Sequence, residues 1–226
     1  MPKFGSVNER RNQLHEVIRL SGLNIEINDN DHPLILKVAS MQPVRIQVYF
    51  IDNDDYFQKE DSDIDVCGSN RADNDERAIY FARGSMETVK KLRWDPDIIQ
   101  CSGWISALAP LYVDKVGRDE GLWRNSKIVY CVEPHNEEMA PIDPELPRKL
   151  IEDGIPEEVA KKFAGENLDV NTLHKYAIER ADGVVFLSEA PDPELIAMVE
   201  ERGIPYLTKE QADAGTPAFK EFYNTL

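Results

Sequence analysis

From residue 74 onward, short apolar runs alternate with stretches of helical periodicity, and this alternation limits the fold more than any other feature. Residues 97–101, 128–132 and 183–188 are short and rich in β-branched or other apolar side chains, as buried strands are. Between them Ile79, Ala82, Met86 and Val89 recur at helical spacing, and so do Trp104, Leu108, Leu111 and Tyr112, then Leu173, Tyr176, Ala177 and Ala181. Asp73 or Asn74 can cap the first of these helices and Asn171 the third. Asp192-Pro193-Glu194 is a helix start with proline at the first position, and Gly203 suits its end. A short strand at 204–207 and a helical tail at 217–226 complete the series. Strands and helices in this order give βαβ units. The expected fold is one α/β domain over residues 1–226, Rossmann-like, with a parallel sheet and helices on both faces.

The first 73 residues are less regular. Residues 34–39 and 46–51 read as β runs, with turn signals at Asp31, Pro33 and Pro43. Residues 52–77 carry ten carboxylates and three basic side chains without periodicity, which predicts a long exposed loop. The acidic, proline-containing stretch 133–158 also reads as loop.

Composition narrows the function classes. Of 226 residues, 42% are hydrophobic and 30% charged, which suits a soluble globular chain. No apolar run is long enough to cross a bilayer, and no apolar core of a secretory signal is present in the first thirty residues. Against 42 acidic residues stand 26 basic ones, a net charge of −16, and the basic residues are scattered. That field repels nucleic acid and anionic membranes. Cys67, Cys101 and Cys131 are too few and too scattered for a disulfide framework or zinc site, which suits a reduced, cytoplasmic protein.

In a sheet of this kind ligands sit outside the carboxyl ends of the strands. Cys101-Ser102-Gly103-Trp104 falls there. Ser102 can cap the following helix, and exposed N–H groups beside it can hold a sugar hydroxyl or an anion; the alternative is a plain cap and a core tryptophan. No dinucleotide, P-loop or nucleophile-elbow pattern occurs. Asp61-x-Asp63-x-Asp65 has the spacing of a calcium loop without its glycine and closing acid, so no metal site is expected. His15, His32, His135 and His174 form no motif with the cysteines, and His174 reads as a polar residue of its helix. No catalytic residue is assigned.

Asp73-Asn74-Asp75-Glu76-Arg77 and Trp94-x-Pro96-Asp97-Ile98-Ile99-x-Cys101-x-Gly103-Trp104 resemble the D-N-x-x-R and P-D-[IV]-[IV]-H-x-H-x-W motifs of bacterial glycogen and plant starch synthases. Val48-Tyr49-Phe50-Ile51-Asp52 with Tyr56-Phe57, the segment Met1-Pro2-Lys3-Phe4-Gly5, and residues 171–188 are similar to further family motifs in the same order. The resemblance covers nearly the whole chain and is nearest to short glycogen synthase-related proteins with only the N-terminal domain. It implies one Rossmann-like half of a GT-B glycosyltransferase, the half that holds the α-glucan acceptor, with ADP-glucose as the family's donor substrate and no cofactor. By resemblance Asp73, Asn74, Arg77, Ser102 and Trp104 are the substrate-binding residues, with Arg77 orienting Asp73.

The departures from the family are specific. Its C-terminal domain, its first strand and its K-T-x-G-G-L loop have no counterpart here, and Gln100 and Ser102 stand at its two motif histidines. Losing one aligned group of that kind costs roughly 2.7–4 kcal/mol of transition-state stabilisation. The chain by itself is therefore expected not to turn over. It is expected to bind α-glucan or a synthase partner, to complete an active transferase with a separate C-terminal chain, or to act as an interaction protein without sugar binding. The central strand implied to be missing would leave sheet edges unpaired, to be filled by a longer N-terminus or by a second chain, either a copy or a synthase partner.

Overall fold

The computed structural model describes residues 1–58 and 65–226. Two four-stranded sheets share one hydrophobic core. The first is antiparallel: β1 (His15–Glu16), β2 (Leu23–Ile27), β3 (Asn30–Met41) and β4 (Ile46–Asp52), with the other three pairing on β3. Residues 1–3 run along the outer edge of β4, where the Lys3 amide donates to Ile51 at 2.8 Å and the Ile51 amide donates to Met1 at 2.9 Å. The sequence places a turn at Pro33, but β3 runs through it. Pro33 lies where β3 passes from β2 to β4, and its carbonyl accepts from Asn53 at 3.1 Å and Tyr80 at 2.8 Å instead of a strand.

The second sheet is parallel, in the order β5 (Ile98–Ser102), β6 (Lys127–Val132), β7 (Gly183–Phe186), β8 (Tyr206–Leu207). Helices α1 (Asn74–Leu92), α2 (Ala109–Glu120), α5 (Val170–Arg180) and α6 (Pro193–Arg202) pack into the larger core, as their apolar stripes require. The short α7 (Lys209–Ala212) and α8 (Thr216–Tyr223) close a second cluster built on Val129, Cys131 and Val185. The expected α/β fold with helices on both faces is present. Between β5 and α2 the chain forms one 3-10 turn, Trp104–Ser106.

Two short helices, α3 (Leu146–Glu152) and α4 (Glu157–Ala160), lie in the stretch read as loop. The Tyr176 hydroxyl donates to the Ala160 carbonyl of α4, and α3 is tied down by Lys149. Its buried ammonium meets Asp75 at 2.7 Å, Glu76 at 2.9 Å and Asp143 at 3.0 Å. Burial alone would lower its pKa, but the three carboxylates outweigh burial and raise it, so it stays charged. Two capping expectations fail. Asn171 lies inside α5; Asp169 caps it, accepting from the Thr172 amide at 3.0 Å in a capping box. Asp73 is the residue before α1 but makes no side-chain cap.

Parallel pairing fixes which groups of β5 face outward. The Lys127 amide donates to Asp97 at 2.8 Å and the Gly103 amide to Cys131 at 3.1 Å, so the odd-numbered residues bond β6. The amides of Ile98, Gln100 and Ser102 then point to the opposite edge, where no strand among the described residues pairs with them.

Candidate glycan site

The carboxyl end of β5 carries Ser102, as the sequence predicts, but Ser102 does not cap. Its hydroxyl donates to Glu133 Oε1 at 2.5 Å, and its carbonyl accepts from Ser106 Oγ at 2.8 Å. Glu133 is the first residue past β6, so adjacent parallel strands deliver the two side chains to one edge. Gly103 makes this contact possible. Its φ is +72°, and a Cβ there would lie 2.9 Å from Glu133 Oε2. Sequence reasoning missed Glu133. The available signal was a carboxylate immediately after a buried strand, at the edge where ligands bind.

Beneath this edge lies Trp104, which is buried in the core. The Arg77 guanidinium stacks on it at 5.5 Å from the ring centre. Arg77 is itself fully buried. It donates to the carbonyl of Tyr56 at 3.0 Å, to that of Gly68 at 3.0 Å, to Asn74 Oδ1 at 2.8 Å and to the carbonyl of Cys67. Burial, then the nearby Arg71, lowers its pKa to about 10. Asn74 is also buried and donates to the Ser69 carbonyl at 2.7 Å. Arg77 and Asn74 are thus a clamp on the loop that precedes α1.

The expectation that Arg77 orients Asp73 is corrected. Arg71 holds the Asp73 carboxylate from both sides, Nε on Oδ1 at 2.8 Å and Nη2 on Oδ2. Only the Arg77 backbone amide reaches Asp73, donating to its carbonyl at 3.0 Å. The Asp73 side chain stays partly exposed at 31%. Glu133 adjoins the same loop: after burial and Asp65, it is among the charges that act on the Cys67 thiol.

The remaining candidates fall elsewhere. Asp65 accepts from the amides of Cys67 at 2.8 Å and Ser69 at 3.2 Å, so it organises the loop; Asp61 and Asp63 lie outside the described residues. Burial pushes the Cys101 thiol up to about 12 and the Cys131 thiol to about 11, away from thiolate chemistry. His174 lies on α5, as the sequence reads it, but faces the core. It is buried, with Nδ1 2.7 Å from Tyr130 Oη and no partner at Nε2 among the described residues. Tyr130 in turn lies 3.3 Å from the Gly103 carbonyl.

The carboxyl edge therefore offers an exposed hydroxyl–carboxylate pair, and the loop before α1 presents a second, partly exposed carboxylate forked by Arg71, while Arg77 is spent inside the fold. The two carboxylates are acceptors that suit neutral hydroxyl donors. Fold and site together define a Rossmann-type α/β domain with polar side chains at the carboxyl edge of its parallel sheet. The starch synthase catalytic domain model matches residues 1–204, and the chain belongs to that family. It is 34% identical over 197 residues to the glycogen synthase of Chlorobium luteolum, covering 87% of this chain and 39% of that protein. It is 37% identical over 185 residues to that of Chlorobium limicola, covering 80% and 36%. The chain spans about two-fifths of the length of these relatives. Its fold matches the catalytic domain of starch synthase IV from Arabidopsis thaliana, a structure bound to ADP and acarbose, with a TM-score of 0.60 at 17% identity over 93% of this chain and 44% of that one. No helix among the described residues is long and apolar enough to cross a membrane.

Proposed function

We propose that this chain is an α-glucan acceptor-binding domain of the synthase type, without glucosyl transfer of its own. The observation that carries the reading is the Ser102–Glu133 pair, 2.5 Å apart and open at the carboxyl edge of the parallel sheet. Glu133 has lone pairs left to accept sugar hydroxyls, and Asp73 adds a second acceptor. Transfer from a nucleotide-sugar needs cations on the diphosphate and a preorganised site for developing charge. Arg77 and Lys149 are both engaged with protein groups. Neither is available to a diphosphate.

The test is affinity electrophoresis of the folded chain in gels with and without glycogen. Retardation is expected, reduced about tenfold in apparent affinity by Glu133→Gln and by Asp73→Ala, each the loss of one charged acceptor. No transfer of glucose from ADP-glucose is expected from the chain alone. Unretarded migration, or steady turnover by the single chain, would each overturn the reading.

The open edge of β5 favours a second reading, a transferase completed by another chain. A separate C-terminal synthase domain that confers glucose transfer only when this chain is added would establish it.

A further inference from the structure

At the other end of β5 the structure holds an unassigned concavity. Trp94 is 61% exposed, whereas Trp104 and Trp123 are 8% and 5% exposed. It lines a groove of about 520 Å³ with Leu122, Arg93, Asp95, Arg124 and Asn125. That volume lies within the range of small-ligand sites.

Both walls of the groove are fixed. The αL residue Arg93 ends α1, its amide donating to Lys90 at 2.9 Å, and the Trp94 amide donates to Val89 at 3.2 Å. Three bonds then tie the Trp94 wall to the facing loop: Trp123 Nε1 to the Trp94 carbonyl at 2.9 Å, Ser126 Oγ to Pro96 at 2.6 Å, and the Lys127 amide to Asp97 at 2.8 Å. The Trp94 backbone is thus immobilised while its ring faces solvent, and its indole N–H has no partner among the described residues. A ring held this way loses little freedom when a ligand stacks on it.

The groove holds no concentrated positive charge for an anion: Lys90 on its wall is neutralised by Glu87 at 3.0 Å and Glu120 at 2.6 Å, Arg124 Nε is turned to the Gly117 carbonyl at 3.2 Å, and Asp95 lies in the same lining as Arg93. What remains is an indole face flanked by planar amide, carboxylate and guanidinium groups. That combination fits a pyranose, whose C–H face stacks on an aromatic ring while its hydroxyls meet polar groups at the rim.

We propose that Trp94 is the platform of a second α-glucan contact, on the amino edge of the parallel sheet. The choice of glucan among neutral sugars rests on the acceptor reading above. Residues 98 to 102 separate the two sites, about 13 Å of strand. One long branched glucan can engage both, and two weak contacts on one polymer reinforce each other.

The experiment uses maltoheptaose and tryptophan fluorescence of the full chain, because only one of the three tryptophans is open to solvent. Expected are a saturable emission change and protection from acrylamide quenching, both absent in Trp94→Ala and partly kept in Trp94→Phe. Trp94→Ala should also weaken glycogen retention about tenfold, while Asp73→Ala keeps the fluorescence response. Retention on glycogen unchanged in Trp94→Ala would overturn the proposal and leave the first site standing. An equal response to polyethylene glycol, which has no sugar ring, would also overturn it.

Discussion

Arg77 directs its guanidinium at three backbone carbonyls and the Asn74 amide oxygen, with Trp104 beneath it. A lysine keeps the charge but concentrates its donors on one atom, so it cannot reproduce the fork. Arg77→Lys should lose about 3 kcal/mol of unfolding free energy, since buried carbonyls are left unpaired. Urea denaturation reads the loss, and faster proteolysis between residues 65 and 73 locates it; a change below about 1 kcal/mol would contradict the clamp. At this scale the sequence pattern marked residues but not what they touch. Asp73, Asn74 and Arg77 are contiguous in a motif, yet a helix turn sends Arg77 inward and leaves Asp73 to Arg71. Glu133 was invisible because its partner Ser102 is 31 residues away and meets it only through strand pairing.

Two elements meet at the Tyr130–His174 contact between β6 and α5. Burial, reinforced by His135, lowers the His174 pKa to about 4 from the ordinary 6.5. Below pH 6.5 the unfolded chain takes up a proton that the folded chain refuses. The stability contribution is therefore full above pH 6.5 and falls by roughly 3 kcal/mol as the pH drops toward 4. His174→Gln should flatten that part of the stability–pH curve, measured by urea midpoints between pH 7 and 4. An unchanged slope would place the acid sensitivity in other groups. The α1–α3 contact makes a second case. Removing Lys149 as Lys149→Met strands the fully buried Asp75 and should cost about 3–5 kcal/mol. Pairing it with Asp75→Asn should recover part of that cost in the same denaturation series. The parallel strands and long helices were legible because their periodicity is local, whereas the short β1 and β2 were not read. α3 and α4 were not legible, because what holds them is distant in sequence: an ion cluster drawn from residues 75, 76 and 143 for α3, and the Tyr176 hydroxyl on the Ala160 carbonyl for α4.

For the whole molecule, the outer edge of β5 and the net charge of −16 act in opposite directions. Amides that no strand among the described residues pairs, on a short edge strand, are a template for pairing, while a strongly acidic surface keeps copies apart. Salt weakens only the second effect, since the Debye length shrinks from about 30 Å at 0.01 M to about 8 Å at 0.15 M. Self-association through this edge should therefore grow with ionic strength, the reverse of assembly held by ion pairs. Gln100→Pro separates the edge from the fold. The Gln100 amide does not bond β6, and its exposed side chain accepts from the Tyr223 hydroxyl, so the substitution should cost about 1 kcal/mol of unfolding free energy, the loss of that one bond. The same substitution at Val129, whose neighbours pair on both sides, should prevent folding. Sedimentation velocity at 0.02 M and 0.5 M salt then gives the outcome: salt-promoted assembly in the parent and a monomer throughout in Gln100→Pro. Assembly that survives the proline would mean the copies meet elsewhere and that β5 keeps its edge open for a different chain.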